Sequence, residues 1–413
     1  MKILFIHYYC KKDGVTRVIL NNINGLSAQS KDLEFVFAGG SFEVPISPEI
    51  EKRHIDWDAE DILSQLQEVA KDVDVIVIEN PTVGTVPKAT LAFKQFAEQN
   101  QSKKIIYRIH DFVEDRPHLF ENMKEVFENL NEIYPKSKNV SFLVLTSSDK
   151  ERLMQKGLEN VQVLPNSIVV SDFQSNKEKA ESLRKIFEEK GIINSGEKIL
   201  AYPVRVLRRK NIEEAILLTK LINEEGAQNY RLIVTIPWEE DYKEEIEKLA
   251  KTYEVPCSIG KASEHISFDK KDSYTIADLY LITDLVISTS VREGFGLAFI
   301  EPWLVGTPVI GRRIQSITKD LENNGMDLSY FYDNSILHNS ENSKERMENV
   351  VSILSDPEKF KQLSEKLNIL DRIRRARLAV DQNRLAIKEN YDHFNVSKKL
   401  LSQITTSYTP YCN

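Results

Sequence analysis

The chain has few cysteines and no long apolar run, and each absence excludes a class of protein. Its three cysteines, Cys10, Cys257 and Cys412, lie far apart in the sequence. This spacing indicates neither a disulfide framework nor a metal cage, and it favours a reducing, cytoplasmic setting. No apolar stretch approaches the roughly 18 residues that a membrane-spanning helix needs. The apolar run Met1–His7 is too short for a signal peptide and predicts a buried strand instead.

Glycine-rich nucleotide-binding motifs are also missing. The chain has 15 glycines in 413 residues, and the loop after the first predicted strand contains only Gly14. A dinucleotide-binding fingerprint needs three glycines, for the turn, the approach of the phosphate and the packing of the helix. The pattern therefore disfavours an NAD enzyme. Gly14 still opens a predicted helix, whose first N–H groups either face a ligand or belong to a plain strand–helix loop.

The charge balance argues against nucleic acid as a partner. The chain carries 63 acidic and 55 basic residues, for a formal net charge of −8. This excess of acid leaves room for a local basic pocket that binds an anion. Four arginines between residues 372 and 377 lie beside an apolar helical stripe. A solvated helix face explains them better than a membrane-surface helix does, although peripheral membrane contact stays open.

Short apolar runs alternate with helical patterns along most of the chain, which is long enough for two domains. The runs are rich in β-branched residues, as is typical of a parallel sheet covered on both faces. The alternation predicts two doubly wound α/β domains that join near residues 165–175, followed by a helical stretch over residues 356–404. The predicted strands are residues 2–7, 33–38, 73–79, 104–109, 142–146, 161–164, 198–203, 230–236, 255–259, 285–288 and 308–311.

The most informative segment contains two glutamates eight residues apart, Glu293 and Glu301. Between them lie Gly294, Phe295 and Gly296, and a helical pattern follows over residues 297–304. A glycine turn between a strand and a helix leaves backbone N–H groups open to an anion or to sugar hydroxyls. A carboxylate on each side can accept hydrogen bonds from neighbouring hydroxyls. The combination favours a nucleotide-sugar ligand over a structural core.

Two further segments place polar residues at the ends of predicted strands. Four cations closely follow one predicted strand: Arg205, Arg208, Arg209 and Lys210. Binding of a diphosphate would explain such a cluster of positive charge in an acidic protein. Arg205 and Lys210 are the predicted ligands because they bracket the loop. His110 ends a strand of the first domain, where open α/β sheets bind ligands. A single histidine at a strand end is, however, more often a structural residue.

Together these segments resemble the retaining glycosyltransferases of the GT-B fold, specifically glycosyltransferase family four. Glu293 and Glu301 are similar to the E-x7-E signature of that family. The pair Arg205 and Lys210, the strand end at His110, and the loops at residues 14–17 and 164–167 follow in family order. The resemblance covers nearly the whole chain. Its departures are Asp13, where the family commonly has a second glycine, and Ser167, where it commonly has glycine.

The resemblance implies two Rossmann-like domains that face each other across a cleft, and a helical C-terminal segment. The first domain, over residues 1–168, would hold the acceptor, and the second, over residues 169–384, the nucleotide-sugar. Residues 385–413 would form a helix that crosses back to the first domain.

Family knowledge also implies a role for each motif residue. Glu293 would bind hydroxyls of the donor sugar and Glu301 those of the ribose. Arg205 and Lys210 would bind the diphosphate, and His110 would approach the donor sugar. The N–H groups of Gly294, Phe295, Gly296 and Leu297 would line the sugar and phosphate. Gly14 would lie at the sugar-phosphate and acceptor side.

The implied activity is transfer of mannose or glucose from a GDP- or UDP-sugar to an acceptor hydroxyl, with retention of configuration. Beyond the donor substrate no cofactor is implied, no metal ligands are assigned, and dependence on a divalent metal stays open. Arg17, Arg108, Arg116 and His118 lie in first-domain loops. If they line the cleft, they favour a small anionic acceptor such as a phosphorylated sugar or a glycerate glycoside. A lipid-linked or polysaccharide acceptor is the alternative.

Three other functions fit parts of the pattern: a glycoside hydrolase, a sugar-nucleotide epimerase and a non-catalytic nucleotide-sugar sensor. A hydrolase needs two carboxylates that flank the scissile bond, about 5–5.5 Å or 6.5–9.5 Å apart. Glu293 and Glu301 stand at the two ends of one turn, which better suits binding along one side of a ligand. Hydrolysis also gives no reason for the cations at Arg205 and Lys210.

Overall fold

The computed structural model describes residues 1–174, 176–266, 274–333, 337 and 340–406. The chain divides into two compact units, one formed by Met1–Val169 with Asn390–Asn413 and the other by Val170–Glu389. Cys412 and the last part of the predicted closing segment, residues 407–413, lie outside the described residues. Among the described helices, none combines the length and the apolar character that crossing a membrane requires.

The first unit is built on a seven-stranded parallel sheet in the order β3-β2-β1-β4-β5-β6-β7. Alternate residues of one strand enter different apolar clusters: Leu4 joins one cluster, whereas Ile3 and Phe5 join another. The sheet is therefore buried on both faces, which explains the nearly continuous apolar runs. The strands are β1 (Lys2–Ile6), β2 (Glu34–Gly39), β3 (Ile50–His54), β4 (Val75–Glu79), β5 (Lys104–Ile109), β6 (Val140–Val144) and β7 (Val161–Val163).

Helices cover this sheet, and one of them comes from the far end of the chain. The helix α16 packs against α1, where a Cβ atom on Gly25 would lie 2.0 Å from Ser397 Oγ. The helices of this unit are α1 (Gly14–Gln29), α2 (Ile62–Val69), α3 (Pro87–Gln99), α4 (Pro117–Met123), α5 (Ser147–Gln155) and α16 (His393–Thr405).

The second unit has a five-stranded parallel sheet in the order β10-β9-β8-β11-β12. Its strands are β8 (Lys198–Arg205), β9 (Tyr230–Ile236), β10 (Cys257–Ile259), β11 (Leu285–Ser288) and β12 (Val309–Gly311). Its helices are α6 (Lys177–Glu189), α7 (Ile212–Gly226), α8 (Glu240–Thr252), α9 (Ile276–Ile282), α10 (Glu301–Val305), α11 (Gln315–Asn323), α12 (Ser343–Leu354), α13 (Pro357–Leu367), α14 (Ile369–Leu378) and α15 (Val380–Tyr391). The predicted α/β class with two parallel sheets and a helical C-terminal segment is confirmed.

Two elements differ from the sequence prediction. The strand β3 was not predicted, because it is a charged strand at the edge of its sheet and buries only Ile50 among its five residues. The helix expected over residues 297–304 is instead a 3₁₀ turn over Leu297–Phe299 followed by the short α10. A longer helix is prevented by Pro302, whose ring would clash with the carbonyl four residues earlier.

The four arginines at 372–377 bind groups of their own unit. Arg372 donates to the carbonyls of Leu367 and Tyr330, and Arg374 pairs with Asp371. The other two reach hydroxyl groups, from Arg375 to Ser329 and from Arg377 to Tyr230.

Candidate functional site

Both sheets reverse their strand order at one point, which is where open α/β sheets bind ligands, beyond the carboxyl ends of the strands. In the first unit the reversal lies between β1 and β4, and in the second between β8 and β11. His7 and Glu79 lie at the ends of the first pair of strands. Arg205 and the loop over residues 289–293 lie at the ends of the second pair. Each unit thus has polar groups at its reversal point.

Glu293 lies at the centre of a polar cluster in the second unit. Its carboxylate pairs with Nζ of Lys210 and accepts a hydrogen bond from Ser290 Oγ at 2.6 Å. Nη1 of Arg209 lies 3.4 Å from the same carboxylate. The Tyr202 hydroxyl donates to the Lys210 carbonyl at 2.7 Å and lies 2.8 Å from Ser290 Oγ. The structure therefore brings together Glu293 and Lys210, two of the predicted residues.

The carboxylate of Glu293 is enclosed, with its side chain 10% exposed. Burial alone raises the pKa of Glu293, but the charges of Lys210 and Arg209 and the hydrogen bonds from Lys210 and Ser290 outweigh it. The pKa of Glu293 is consequently below its ordinary value. Burial also lowers the pKa of Lys210, against the attraction of Glu293. Glu293 is therefore an anion at neutral pH, in contact with Lys210 and Arg209.

Arg205 lies apart from this cluster and contacts an aromatic ring. Its guanidinium carbon is 4.4 Å from the centroid of the Trp238 ring, and Trp238 is 59% exposed. Stacking uses the flat face of a guanidinium and leaves its N–H groups pointing outward in the plane. Within the described residues these N–H groups have no hydrogen-bond partner. They are therefore available to an anionic ligand.

Arg208, a second arginine of this loop, is committed to protein partners. Arg208 pairs with Asp241 at 2.9 Å and with Glu245 at 3.0 Å on α8. Of the four cations at and just after the end of β8, Arg205 is thus the one with an exposed and unpaired guanidinium among the described residues.

A deeper layer of buried charges fixes the loop between β8 and α7. Asn211 has a left-handed backbone, with φ 53°, and its amide donates to Glu214 at 2.7 Å. Glu214 in turn pairs with Arg312, and Glu213 pairs with Nε of Arg346 at 3.1 Å. Removing one member of such a buried pair leaves an uncompensated charge and costs about 3–5 kcal/mol. These buried ion pairs and hydrogen bonds therefore hold the loop that carries Lys210, the partner of Glu293, in place.

The turn after Glu293 separates the two motif glutamates. Gly296 has φ 77°, and a Cβ atom there would lie 2.5 Å from Cδ2 of Phe299. Glu301 begins α10, is 5% exposed and accepts a hydrogen bond from the Tyr280 hydroxyl at 3.2 Å. Glu293 and Glu301 thus have different partners. Of the other predicted residues of the turn, Gly294 is exposed, Phe295 buried and Leu297 half-buried.

In the first unit, His110 lies just after β5 and contacts a buried carboxylate. Its Nε2 is 2.5 Å from Oε2 of Glu79, which is 1% exposed. The backbone N–H groups of His110 and Asp111 donate to Asn80 Oδ1 at 2.7 and 3.1 Å. Asn80 itself has φ 53°, a conformation that asparagine tolerates better than most residues. Glu79 and Asn80 together fix the position of His110.

Glu79 has two further basic neighbours. Nδ1 of His7 lies 3.3 Å from the Glu79 carbonyl oxygen, and Nε of Arg108 lies 3.7 Å from its carboxylate. Burial alone raises the pKa of Glu79, but His110, Arg108 and His7 outweigh it, so the pKa of Glu79 is below its ordinary value. Burial lowers the pKa of His7. The group contains one buried anion among three basic side chains.

The loop at Gly14 differs in part from the expectation. Gly14 is the first residue of α1 and is exposed. The N–H of Thr16, in the first turn, donates to the carboxylate of Asp13 at 2.8 Å, so an internal cap satisfies it instead of a ligand. A Cβ atom on Gly14 would meet nothing within 4 Å. The position is open, but its packing does not require glycine.

The basic residues proposed to face an anionic acceptor have different environments. Arg108 is wholly buried and donates to the carbonyl of Pro165 and to Asn166, so it is not available to an acceptor. Arg116 pairs with Asp111 at 2.7 Å. His118 is exposed. Arg108 lies within β5 and not in a loop, so it gives no support to a small anionic acceptor.

Sequence reasoning missed several polar residues of both clusters. Glu79 is the last residue of an otherwise apolar strand, and an acidic residue at such a strand end was an available signal. Ser290 lies inside the motif segment but carries no charge. The aromatic partner of Arg205, Trp238, follows a different strand, so no local pattern links the two. Within the described part of the chain, no group of three or more His, Cys, Asp or Glu residues is placed to hold a metal ion.

Comparison with known sequences connects the second unit, which contains the Glu293 cluster, to a family. The family model for "Glycosyl transferases group 1" matches residues 184–368. Mannosylglucosyl-3-phosphoglycerate synthase of Petrotoga mobilis is 28% identical over 331 residues, which are 71% of this chain and 61% of that protein. Mannosylglucosylglycerate synthase of the same organism is 26% identical over 342 residues, 76% of this chain and 78% of that protein. The match thus spans about three fifths of the first relative's length.

Solved structures resemble the protein along almost its whole length. Anabaena HepE in complex with UDP-glucose has a TM-score of 0.61 at 13% identity, covering 98% of this chain and 99% of that one. Trehalose-6-phosphate synthase OtsA has a TM-score of 0.63 at 11% identity, with coverage of 98% and 99%. At these identities the likeness shows the fold. That fold is GT-B, and the match over residues 184–368 together with the two synthase relatives supports a glycosyltransferase, with which the E-x7-E pattern of the retaining, family-four type is consistent.

Proposed function

We propose that the protein transfers a mannosyl group from a nucleotide diphosphate sugar to a hydroxyl of a glucosylglycerate-type acceptor, with or without a phosphate on the glycerate. The names of the two relatives support this choice, since both describe synthases of a mannosylglucosyl glycerate compound. Glucose is the alternative sugar, and GDP and UDP are the two candidate carriers. The acceptor is then small and anionic, because glycerate carries a carboxylate.

The observation that carries the proposal is the arrangement of charges at the reversal point of the second sheet. Glu293 is held as an anion by Lys210 and Arg209, while the N–H groups of Arg205 remain available. In hexosyl transfer the bond from the sugar to the phosphate breaks, and negative charge develops on the departing diphosphate. Arg205 and Lys210 would stabilise that charge, and one such contact is worth about 2.7–4 kcal/mol.

The remaining motif residues have binding roles in this proposal. Glu293 accepts hydrogen bonds from hydroxyls of the donor sugar, and Glu301 accepts them from the ribose. The backbone N–H groups of residues 294–297 lie along the sugar and the phosphate, and Gly14 lies on the acceptor side. His110 approaches the donor sugar. No side chain is assigned as a nucleophile, because the leaving phosphate oxygen can itself take the proton of the acceptor hydroxyl.

The test is a panel of donors and acceptors with separate detection of each product. The full-length protein is incubated with GDP-mannose, UDP-glucose, GDP-glucose or UDP-mannose, and with glucosylglycerate, its phosphorylated form, a polyprenyl phosphate or no acceptor. We expect release of the nucleoside diphosphate only with an acceptor, and a new glycoside detected by mass spectrometry. Nuclear magnetic resonance of that glycoside should show the anomeric configuration of the donor.

The other outcomes separate the alternative functions. Binding of a nucleotide-sugar without turnover across the whole panel would indicate a sensor and sink the proposal. Release of free sugar points to a hydrolase, and a new nucleotide-sugar points to an epimerase. Turnover with the polyprenyl phosphate alone would keep the transferase and overturn the acceptor.

A further inference from the structure

The first unit contains a buried carboxylate that the proposed transfer does not use. Glu79, at the end of β4, is 1% exposed and lies 2.5 Å from the ring of His110. We infer that Glu79 is a positioning residue: it fixes the ring proton of His110 on Nε2, so that Nδ1 accepts a hydrogen bond from a sugar hydroxyl. This inference rests on the proposed function, which places His110 at the donor sugar.

The position of the proton follows from the chemistry of the contact. The Glu79 carboxylate is an anion, and Glu79 has three basic neighbours. Arg108 lies within β5, His110 follows β5, and His7 follows β1. An ionised carboxylate only accepts hydrogen bonds. The ring nitrogen 2.5 Å from it, Nε2 of His110, must therefore carry a hydrogen. In the neutral ring the second nitrogen, Nδ1, is then an acceptor.

The second ring nitrogen is the one that a ligand can reach. The side chain of His110 retains 4% exposure, and Nδ1 has no hydrogen-bond partner among the described residues. Some buried polar atoms of this unit have no hydrogen-bond partner, among them Nε2 of His7 and Oε1 of Glu79. Among the described residues, Nδ1 of His110 is not one of these fully buried atoms. The small accessible surface of the His110 ring therefore includes the nitrogen that Glu79 leaves unprotonated.

This arrangement selects the chemical class of the ligand. A neutral ring with an unprotonated Nδ1 binds a hydrogen-bond donor such as a hydroxyl, whereas a phosphate or carboxylate offers only acceptors. The rest of the group supports the geometry: Asn80 holds the backbone of His110, and Arg108 and His7 hold Glu79. In Ser-His-Asp triads the aspartate likewise holds the histidine ring in one tautomer. The hydroxyl belongs either to the transferred sugar or to the acceptor.

The direct test is the tautomer of His110 in the resting protein. The full-length chain is labelled with ¹⁵N-histidine, and a His110→Ala variant identifies the signals of this residue by their loss. In the neutral ring we expect a protonated Nε2 and an unprotonated Nδ1. A proton on Nδ1 of the neutral ring would overturn the inference. This measurement needs no turnover. The tautomer can therefore be wrong while the proposed transfer is right, and the transfer can be wrong while the tautomer is right.

A second test connects the tautomer to the substrate. In Glu79→Gln the amide can donate to Nε2 as well as accept from it, so the proton is no longer fixed. We expect kcat/KM to fall about 10- to 100-fold, the size of one lost hydrogen bond to a substrate. The exposed Glu125→Gln makes the same chemical change in the same unit and should leave kcat/KM unaltered.

Deoxy substrates decide which molecule supplies the hydroxyl. If it lies on the donor sugar, one deoxy donor should show nearly the same kcat/KM with Glu79→Gln as with the unmodified protein. If it lies on the acceptor, a deoxy acceptor should behave in this way. An equal Glu79→Gln penalty with every deoxy analogue would overturn the inference. Should Glu79→Gln fail to fold, the ¹⁵N measurement on the unmodified chain still decides.

Discussion

Glu293 is held by three side-chain partners, and that affects how it can be substituted. Its carboxylate contacts Lys210, Arg209 and Ser290 while almost enclosed. The two cations keep it ionised, and it in turn limits the repulsion between them. A substitution at this residue therefore changes both the binding of a ligand and the charge balance of the loop.

Glu293→Gln keeps the shape of the side chain and removes its charge. We expect kcat/KM to fall about 100-fold or more, because hydrogen bonds to a charged group contribute about 1.5–3 kcal/mol each. The free energy of unfolding should also fall, by up to about 5 kcal/mol, since Lys210 stays buried without an anion. Urea unfolding and steady-state kinetics measure the two effects. Glu240→Gln, in an exposed pair with Lys243, is the control.

Trp238 gives a second prediction at the residue scale, because the Arg205 guanidinium stacks on its ring. Trp238→Ala should raise the KM for the donor about 2- to 30-fold, the range of one cation–π contact, with little change in kcat. Trp238→Phe should restore most of the loss, since it also offers an aromatic face. An unchanged KM in the alanine variant would show that Arg205 needs no aromatic support.

Charged residues close in sequence could be predicted, and partners distant in sequence could not. Glu293, Lys210 and Arg205 stand out because they follow predicted strands and belong to recognisable motifs. Glu79 and His110, which are in contact, are 31 residues apart and belong to the ends of two different strands. Trp238 and Arg205, which stack, likewise lie at the ends of two different strands. Such pairs depend on strand order, which apolar periodicity alone does not give.

The short turn between the two motif glutamates depends on glycine for both conformation and space. Gly296 has φ 77°, and a Cβ atom there would lie 2.5 Å from the Phe299 ring. Gly196, in the same unit, has φ 80° but nothing within 4 Å of such an atom. The two positions therefore share the backbone requirement and differ in the steric one.

This difference makes Gly296→Ala and Gly196→Ala a matched pair. Both should lose about 1–2 kcal/mol of unfolding free energy, the cost of a left-handed backbone in a residue with a Cβ atom. Gly296→Ala should lose more, and its kcat/KM should fall at least about tenfold, because the turn must shift between Glu293 and Glu301. Gly196→Ala should keep its activity. Equal losses in both variants would mean that the Phe299 contact yields without cost.

At the scale of elements, the strands were easier to predict than the helix starts. Fully apolar strands such as β4 and β11 were found because both faces of each sheet are covered. The strand β3 was missed because one edge of it faces solvent and carries charge. The helical pattern after Gly296 was read as continuous, although Pro302 lies within it and prevents α10 from extending back through the 3₁₀ turn.

The whole chain is organised so that its last described helix completes its first unit. Residues of α16 (Val396, Leu400 and Ile404) join the apolar cluster that contains Ile19, Ile23 and Leu26 of α1. Gly25 allows the two helices to approach, because it faces Ser397 without a side chain of its own. The core of the first unit therefore depends on residues more than 350 positions away in the sequence.

Leu400→Asp tests this dependence, with Phe394→Asp as a control on the same helix. Leu400 is 0% exposed and Phe394 is 50% exposed. A buried, unpaired carboxylate at residue 400 should cost more than about 4 kcal/mol, whereas the exposed substitution should cost under about 1 kcal/mol. Hydrogen exchange followed by mass spectrometry should then show faster exchange in α1 for Leu400→Asp, with α7 of the second unit unchanged. Faster exchange in both helices would mean that the two units unfold as one, and unchanged exchange in α1 would mean that the first unit is stable without α16.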